Sequence, residues 1–488
     1  MQGSRRVRAL SSLGTVAALA LLPVPPGLEP HAWYYAAIFG GVVVGLILEP
    51  LPPAAVGLIG ITAVAILARW VLFSPDDLAA PGFDAAGRSI EWALSGFANS
   101  TVWLSFAAFS FAAGYQKTGL GRRIALHLVR ALGGRTLTLG YAVMLADVLL
   151  APFTPSNTAR SAGTIYPIIR NLPPLYDSHP NTPSARRIGG YIMWTALAAT
   201  SVTSSLFLTA LAPNLLALEL IREATSLEIT WTHWFLVAAP TGLVLLMVLP
   251  MLVYWLYPPE ITEGGQAQGW AARELDALGP ISWPEKVLGA LVLLAIALWI
   301  LGGSHLSPTT TALLVMCLML LAGVLSFDDV ISNHEAWKAL VMLATLVTMA
   351  SGLSRTGFIR WFAVATAEHM SVLPPITMAL ALVVIYFFAH YLFASITAHV
   401  TAMMPIMLSV GAAIPNFPLS GFAILLALSH GLMGVLTPYA TTSGPVYLAS
   451  GYISSAEFWR LGGIFGAIFL AALIAFSGLF VLTGWWER

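Results

Sequence analysis

The chain has 488 residues, 58% of them hydrophobic and 9% charged, with 22 Lys and Arg balanced by 22 Asp and Glu. Soluble domains carry roughly 25% charged residues, so a chain this apolar cannot cover a water-facing surface and reads as an all-α polytopic membrane protein. Zero net charge offers no general hold on nucleic acid, and the single Cys317 excludes an intrachain disulfide and a cysteine metal cage.

Apolar segments fall at 9–24, 33–50, 54–73, 92–114, 139–169, 188–221, 233–257, 285–302, 308–326, 338–353, 375–414, 419–450 and 459–485. Most have the length of one helical crossing, about 20 residues. Arg5, Arg6 and Arg8 precede the first, as in a signal peptide, but no A-x-A site follows and PVPPG closes it. Residues 1–30 are therefore expected to remain as an N-terminal span. Further along, Lys117 is the one lysine followed by Thr or Ser, and Gln116 rather than Gly stands before it. That excludes a P-loop and argues against ATP-driven transport. Four segments, 139–169, 188–221, 375–414 and 419–450, are longer than the rest and interrupted by Pro, Gly, Ser or Thr.

The two halves repeat each other. GYQKTGLGRRIA at 114–125 matches GLSRTGFIRWFA at 352–363 with an offset of 238 residues. SNTAR at 156 faces SITAH at 395, an offset of 239, and Pro167 faces Pro405 at 238. If the segments at about 139–169 and 375–414 are re-entrant hairpins, each half crosses five times and the halves are inverted. The expected architecture is an N-terminal span, a first repeat at 31–257, a cytoplasmic linker at 258–283 and a second repeat at 284–488, about eleven spans in all. Interrupted segments at corresponding places of inverted halves mark a transporter's binding site. With the N-terminus inside, fifteen Lys and Arg lie on the inner side, six (Arg69, Arg88, Arg222, Arg355, Arg360, Arg488) lie outside, and Arg160 lies in the membrane. This distribution obeys the positive-inside rule.

Irregular backbone at membrane depth is tolerated where it lines a cavity or is buried in protein. Pro152 and Pro155 break the first hairpin before Ser156, Asn157 and Thr158. Hydroxyls, an amide and a restarting helix N-terminus there suit carboxylate oxygens; the plainer reading is that they cap a broken helix. Arg160 and His399 hold equivalent places, two residues past Thr158 and Thr397. An arginine at the bilayer centre costs roughly 2.5–3.5 kcal/mol, so it faces a partner or a wet cavity. The functional reading is that Arg160 and His399 neutralise a bound dianion; the structural one pairs Arg160 with Asp147, which with Glu49 makes up the deep acids. The second interrupted segments, ATSVTSSLFLTALAPN at 199–214 and GVLTPYATTSGPVY at 434–447, would add Ser204, Ser205, Thr441 and Thr442 to the cavity.

At APFTPSNTARSAG, FLTALAPN, FASITAH and TPYATTSGPVYLASGYI the chain resembles the divalent anion/sodium symporter family, in its branch of 2-oxoglutarate/malate translocators and citrate/succinate antiporters. The likeness spans nearly the whole chain. It implies a homodimer, an elevator motion, and carboxylate contacts from Ser156, Asn157, Thr158, Ser395 and Thr397; the lack of a transit peptide points to a bacterial-type inner membrane over a plastid envelope. The second tip departs from the family: Ile396 stands where its second Asn would be, which puts a second sodium site in doubt. Fixed cations at Arg160 and His399 would leave the emptied mobile domain charged and slow to cross, so obligate, sodium-independent dicarboxylate exchange is expected, with no cofactor or metal. The alternatives are a sodium- or proton-coupled carboxylate or sulfate symporter, a channel, and an intramembrane enzyme, for which neither HExxH nor GxSxG occurs.

Overall fold

The computed structural model describes residues 2–302, 305–367 and 373–484; Arg488, counted above among the outer charges, lies outside them. Among the described residues there is no strand, only one isolated antiparallel bridge between Arg135 and Glu263. In chain order the first half contains α1 (Gln2–Leu21), α2 (Pro30–Leu48), α3 (Pro53–Ile66), α4 (Ser100–Thr118), α5 (Leu120–Leu132), α6 (Thr136–Leu150), the π-helical α7 (Thr158–Ile165), α8 (Gly189–Leu206), α9 (Ala212–Thr225) and α10 (Trp231–Leu256). After α11 (Gln266–Leu278) the second half contains α12 (Trp283–Leu301), α13 (Pro308–Leu321), α14 (His334–Arg355), α15 (Phe358–Ala367), α16 (Pro375–Ala389), α17 (Ile396–Ala413), α18 (Leu419–Leu432), α19 (Gly444–Ala449) and α20 (Ser455–Ala472). The main helices of the second half thus follow the order of α4 to α10 in the first, with smaller helical turns between them.

Local chemistry sets the helix ends. Asn99 caps α4 by accepting from the Thr101 and Val102 amides, and Gly119, at φ 78°, ends it. That left-handed turn costs glycine little and lets α5 start at once. α5 buries Leu120, Leu126 and Val129 and exposes Arg122, His127 and Arg130, as an amphipathic helix should. Proline opens α2, α3, α13 and α16, where its missing N–H is no loss.

Among the described residues eight helices are long and apolar enough to cross a membrane, three of them (Thr136–Phe153, Pro375–Leu392 and Ile396–Ala413) in the expected hairpin segments, and Pro53–Ile66, Pro308–Leu321 and Leu419–Val435 are shorter apolar helices. The eight are not the eleven expected spans less three; part of the difference has local causes. α1 encloses Arg5, Arg6 and Arg8 and so is not among the eight. The segments at 188–221 and 419–450 are each two helices separated by extended backbone or turns. The region between the halves is more ordered than a linker rich in Gly, Gln and acids suggests: α11 lies on α5, joined by Arg122 to Glu274 at 2.5 Å.

The halves are interlocked. α3 packs on α14, α4 on α13 and α14, α9 on α17, and α8 on α18. Small residues bring these helices close, as is common where helices meet in a bilayer. At Gly431 a Cβ would stand 2.5 Å from the Ser205 amide nitrogen and 2.6 Å from the Ser201 carbonyl. Those are backbone atoms and cannot turn aside. Gly431→Ala is therefore expected to cost about 1–3 kcal/mol and lower the melting temperature of the detergent-purified protein. Gly269→Ala, on the exposed face of α11, should raise it slightly.

Candidate functional site

Four helices begin after a break in the chain. α6 ends at Leu150, a 3₁₀ turn carries the chain over Ala151–Phe153, and Pro155 precedes the restart as α7. α8 stops at Leu206 and α9 starts at Ala212 with Pro213 in its first turn. In the second half α16 gives way through His390–Leu392 to α17, and α18 gives way through residues 433–443 to α19.

The four restarts ring one cavity of about 490 Å³, a volume proper to a small-molecule site. Its wall takes Pro155, Ser156, Asn157 and Thr158 from the first tip, Leu211, Ala212 and Pro213 from α9, Ala394, Ser395, Ile396 and Thr397 from the second tip, and Thr441, Thr442 and Pro445 before and within α19. The tips are cross-linked. The Ala212 amide donates to the Pro155 carbonyl at 2.9 Å, and the Thr158 and Thr442 hydroxyls bond each other. Ser156 Oγ accepts from the Ala159 amide at 3.2 Å, a capping role compatible with a second bond to a ligand. α7 is held by Ser161, whose hydroxyl pairs with the Tyr447 hydroxyl at 2.7 Å.

Arg160 does not reach this cavity. It is completely buried, and its Nε donates to Asp147 at 3.1 Å. One terminal nitrogen donates to the Thr154 and Ala210 carbonyls at 2.9 and 3.0 Å, and the other to the Ser204 and Thr200 hydroxyls at 2.9 and 3.1 Å. Every arm of the guanidinium is spent on protein, and the Asp147 carboxylate neutralises it in place. This corrects the expectation of a fixed unpaired cation and removes the electrostatic argument for obligate exchange built on it.

His399 is likewise buried away from the cavity wall. Its ring stands edge-on to Tyr386 at 4.3 Å and beside His390 at 5.2 Å and Phe393 at 4.8 Å, and neither nitrogen has a partner among the protein atoms. Tyr386 follows Asp147 by 239 residues, the offset that relates the tips. At positions related by that offset, an ion pair in the first half thus corresponds to a ring contact in the second. Ser204 and Ser205 are also absent from the wall: Ser204 serves Arg160, and Ser205 Oγ accepts from the Leu432 amide at 3.1 Å where α8 meets α18. Their small size brings the helices together and turns their hydroxyls inward. Ser156, Asn157, Thr158, Ser395, Thr397, Thr441 and Thr442 are the expected site residues that the fold does bring together.

Sequence reasoning did not place the rest of the wall: Glu49 (read as a deep acid but not as a site residue) and Pro52 between α2 and α3, Pro53 and Ala54 at the start of α3, Phe109 of α4, Tyr439, and Glu335, Lys338, Ala339 and Met342 of α14. A signal existed for two of them. Glu49 closes an apolar segment before Pro50, with φ 46°, a left-handed conformation uncommon outside glycine. Lys338 sits in the first turns of a crossing helix. A second cavity of about 680 Å³ adjoins the first, shares Glu335 and Lys338 with it, and adds Gln116, Lys117, Asp329 and His334. There the Lys117 ammonium, 2.5 Å away, and the Ser326 donors hold the Asp329 carboxyl down to about 2. Its folded value lies below the ordinary 3.8, so the pair is complete at neutral pH and is lost only as pH falls from about 4 toward 2.

The profile of the sodium:sulfate symporter transmembrane region matches residues 4–487. The L-tartrate/succinate antiporters of Escherichia coli K12 and Shigella sonnei are each 50% identical to the chain over 467 residues, 96% of either length. Among solved structures the fold is similar to the YdaH transporter of Alcanivorax borkumensis, with TM-score 0.57 and 14% identity over 89% of this chain and 99% of that one. It is also similar to Neisseria gonorrhoeae MtrF, described as illuminating a class of antimetabolite efflux pumps, with TM-score 0.58 and 15% identity over 91% of this chain and 96% of that one.

The Arg160–Asp147 pair yields a test. Removing one partner of a buried ion pair leaves an uncompensated charge and costs about 3–5 kcal/mol, whereas replacing both with apolar residues is far milder. Arg160→Met and Asp147→Asn should each lower the unfolding temperature in detergent strongly, and Asp147→Leu with Arg160→Met should recover most of it. Full stability of Arg160→Met alone would contradict a structural role.

Proposed function

The chain belongs to the sodium:sulfate symporter family, the divalent anion/sodium symporters, and is a multi-pass membrane transporter rather than an enzyme; from that premise we propose that it exchanges C4–C5 dicarboxylates across a bacterial inner membrane. The named activity of the half-identical relatives makes succinate and L-tartrate the first candidates, with malate and 2-oxoglutarate in the same chemical class.

One observation carries the reading: four helix starts surround a single cavity edged with hydroxyls and one amide. Each helix N-terminus presents roughly half a positive charge, so four sum to about the charge of a dianion, α19 contributing least because it is short. Ser156, Asn157, Thr158, Ser395, Thr397, Thr441 and Thr442 then hold one end of the acid, with Ile396 and its neighbours against its carbon chain. Exchange follows without Arg160. An emptied cavity leaves converging dipoles uncompensated, and carrying them past an apolar barrier is slower than carrying them with a dianion bound.

Re-entry is supported by where the arms stop: each arm with its 3₁₀ turn, Thr136–Phe153 and Pro375–Leu392, ends just before residues of the cavity wall, Pro155 and Ala394. With both hairpins re-entrant the repeats at 31–257 and 284–488 are inverted, the N-terminus is cytoplasmic, and the two joined cavities open inward. The family's homodimer and elevator motion complete the proposal.

Reconstituted vesicles test it. Labelled succinate should enter vesicles preloaded with succinate or L-tartrate, should not enter buffer-loaded vesicles, and should ignore sodium. Ser156→Ala and Thr397→Ala should each raise KM roughly tenfold. Sodium-dependent uptake into empty vesicles would establish symport instead.

A further inference from the structure

We propose that Lys338 is the residue that demands a second carboxylate: it leaves Glu335 to bind the distal carboxylate of the acid whose first carboxylate the tips hold. This rests on the dicarboxylate reading above. Lys338 is the one basic side chain on the cavity wall among the described residues, and it lines the adjoining cavity as well. An anion moving between the two passes it.

The neighbouring cation is not free to do this. Lys117 is held at 2.5 Å by Asp329, which Ser326 fixes in turn through its amide at 2.6 Å and its hydroxyl at 2.8 Å. Lys338 has a single bond, at 2.9 Å, to Glu335 three residues before it, and the two side chains are 60% and 69% exposed. Such a pair has little worth in water, so a substrate carboxylate can displace it.

The base beneath Lys338 is rigid where its tip is not. Asn333 caps α14 by accepting from the Ala336 amide at 3.2 Å, and its amide nitrogen donates to the Phe109 carbonyl at 3.2 Å. Trp337 Nε1 donates to the Val330 carbonyl at 3.1 Å. α14 is thus pinned to α4 at the point from which Lys338 reaches out. A monocarboxylate filling the tips would leave Lys338 with Glu335; a dicarboxylate gives it a better partner.

The experiment is succinate/succinate exchange by the purified full-length chain in proteoliposomes, with butyrate as the monocarboxylate competitor. Lys338→Gln should raise the KM for succinate roughly tenfold and leave inhibition by butyrate unchanged. Glu335→Gln removes a competing anion and should lower KM severalfold. These opposite directions separate the proposal from a merely structural ion pair, whose loss would make both variants behave alike. Lys338→Arg should keep a near-normal KM. An unchanged KM in Lys338→Gln, or a raised one in Glu335→Gln, overturns the proposal. Should Lys338→Gln fail to fold, as read from its melting temperature, the Glu335→Gln result decides alone. Absence of any succinate exchange in the unaltered protein would instead overturn the dicarboxylate reading.

Discussion

A helix broken inside a membrane exposes amides and carbonyls that lipid cannot solvate, so each must find a partner within the protein. The site exists because four such breaks satisfy one another. The carbonyls of the first tip and the first break are taken by donors: Pro152 by the Thr209 hydroxyl, Pro155 by the Ala212 amide, Thr154 and Ala210 by Arg160, Ser204 by Asn214. In the second half the Ala440 carbonyl bonds His390 Nε2 at 3.1 Å. With the acceptors tied back, the helix starts are left to set the character of the cavity. The ionised side chains on its wall, Glu49, Glu335 and Lys338, include more acids than bases, so attraction for an anion there rests on the backbone.

This explains how much of the molecule could be read from the sequence. Prolines and hydroxyls at a fixed spacing give away the breaks, because few residue types tolerate an interrupted helix. The repeat offset then pairs them, and Ser156 to Thr158, Ser395, Thr397, Thr441 and Thr442 meet as that pairing implies. The misreadings share one cause: spacing does not say which way a side chain points. Arg160 lies two residues beyond a tip hydroxyl, yet a π-helical turn follows that tip and the guanidinium runs back to Asp147, thirteen residues earlier. Ser204 and Ser205 fit a polar pocket and a close helix crossing equally well as letters. Lys338 and Glu49 belong to other helices of the fold, and only tertiary packing brings them to the tips.

The placement of charge is also functional. Deep inside, positive and negative groups cancel pairwise, Arg160 with Asp147 in the first half and Arg123 with Glu285 across the two halves. At the joined cavities the ionised residues on the wall are Glu49, Glu335 and Lys338 in the first and Lys117 and Asp329 beside them in the second, and none belongs to the tips. The elements that grip the ligand therefore contribute dipoles, and the elements beside them contribute charges.

The two repeats share a plan but not a stiffness. The first hairpin is riveted to its neighbours by a guanidinium with bonds in several directions at once. At the matching place the second has rings in edge contact, worth about 0.5–1.5 kcal/mol per pair, and a histidine with no protein partner for either nitrogen. Stacked rings slide where a multiply bonded cation resists. A frame braced at one break and cushioned at the other yields first at the cushioned one, although the two breaks share a sequence pattern.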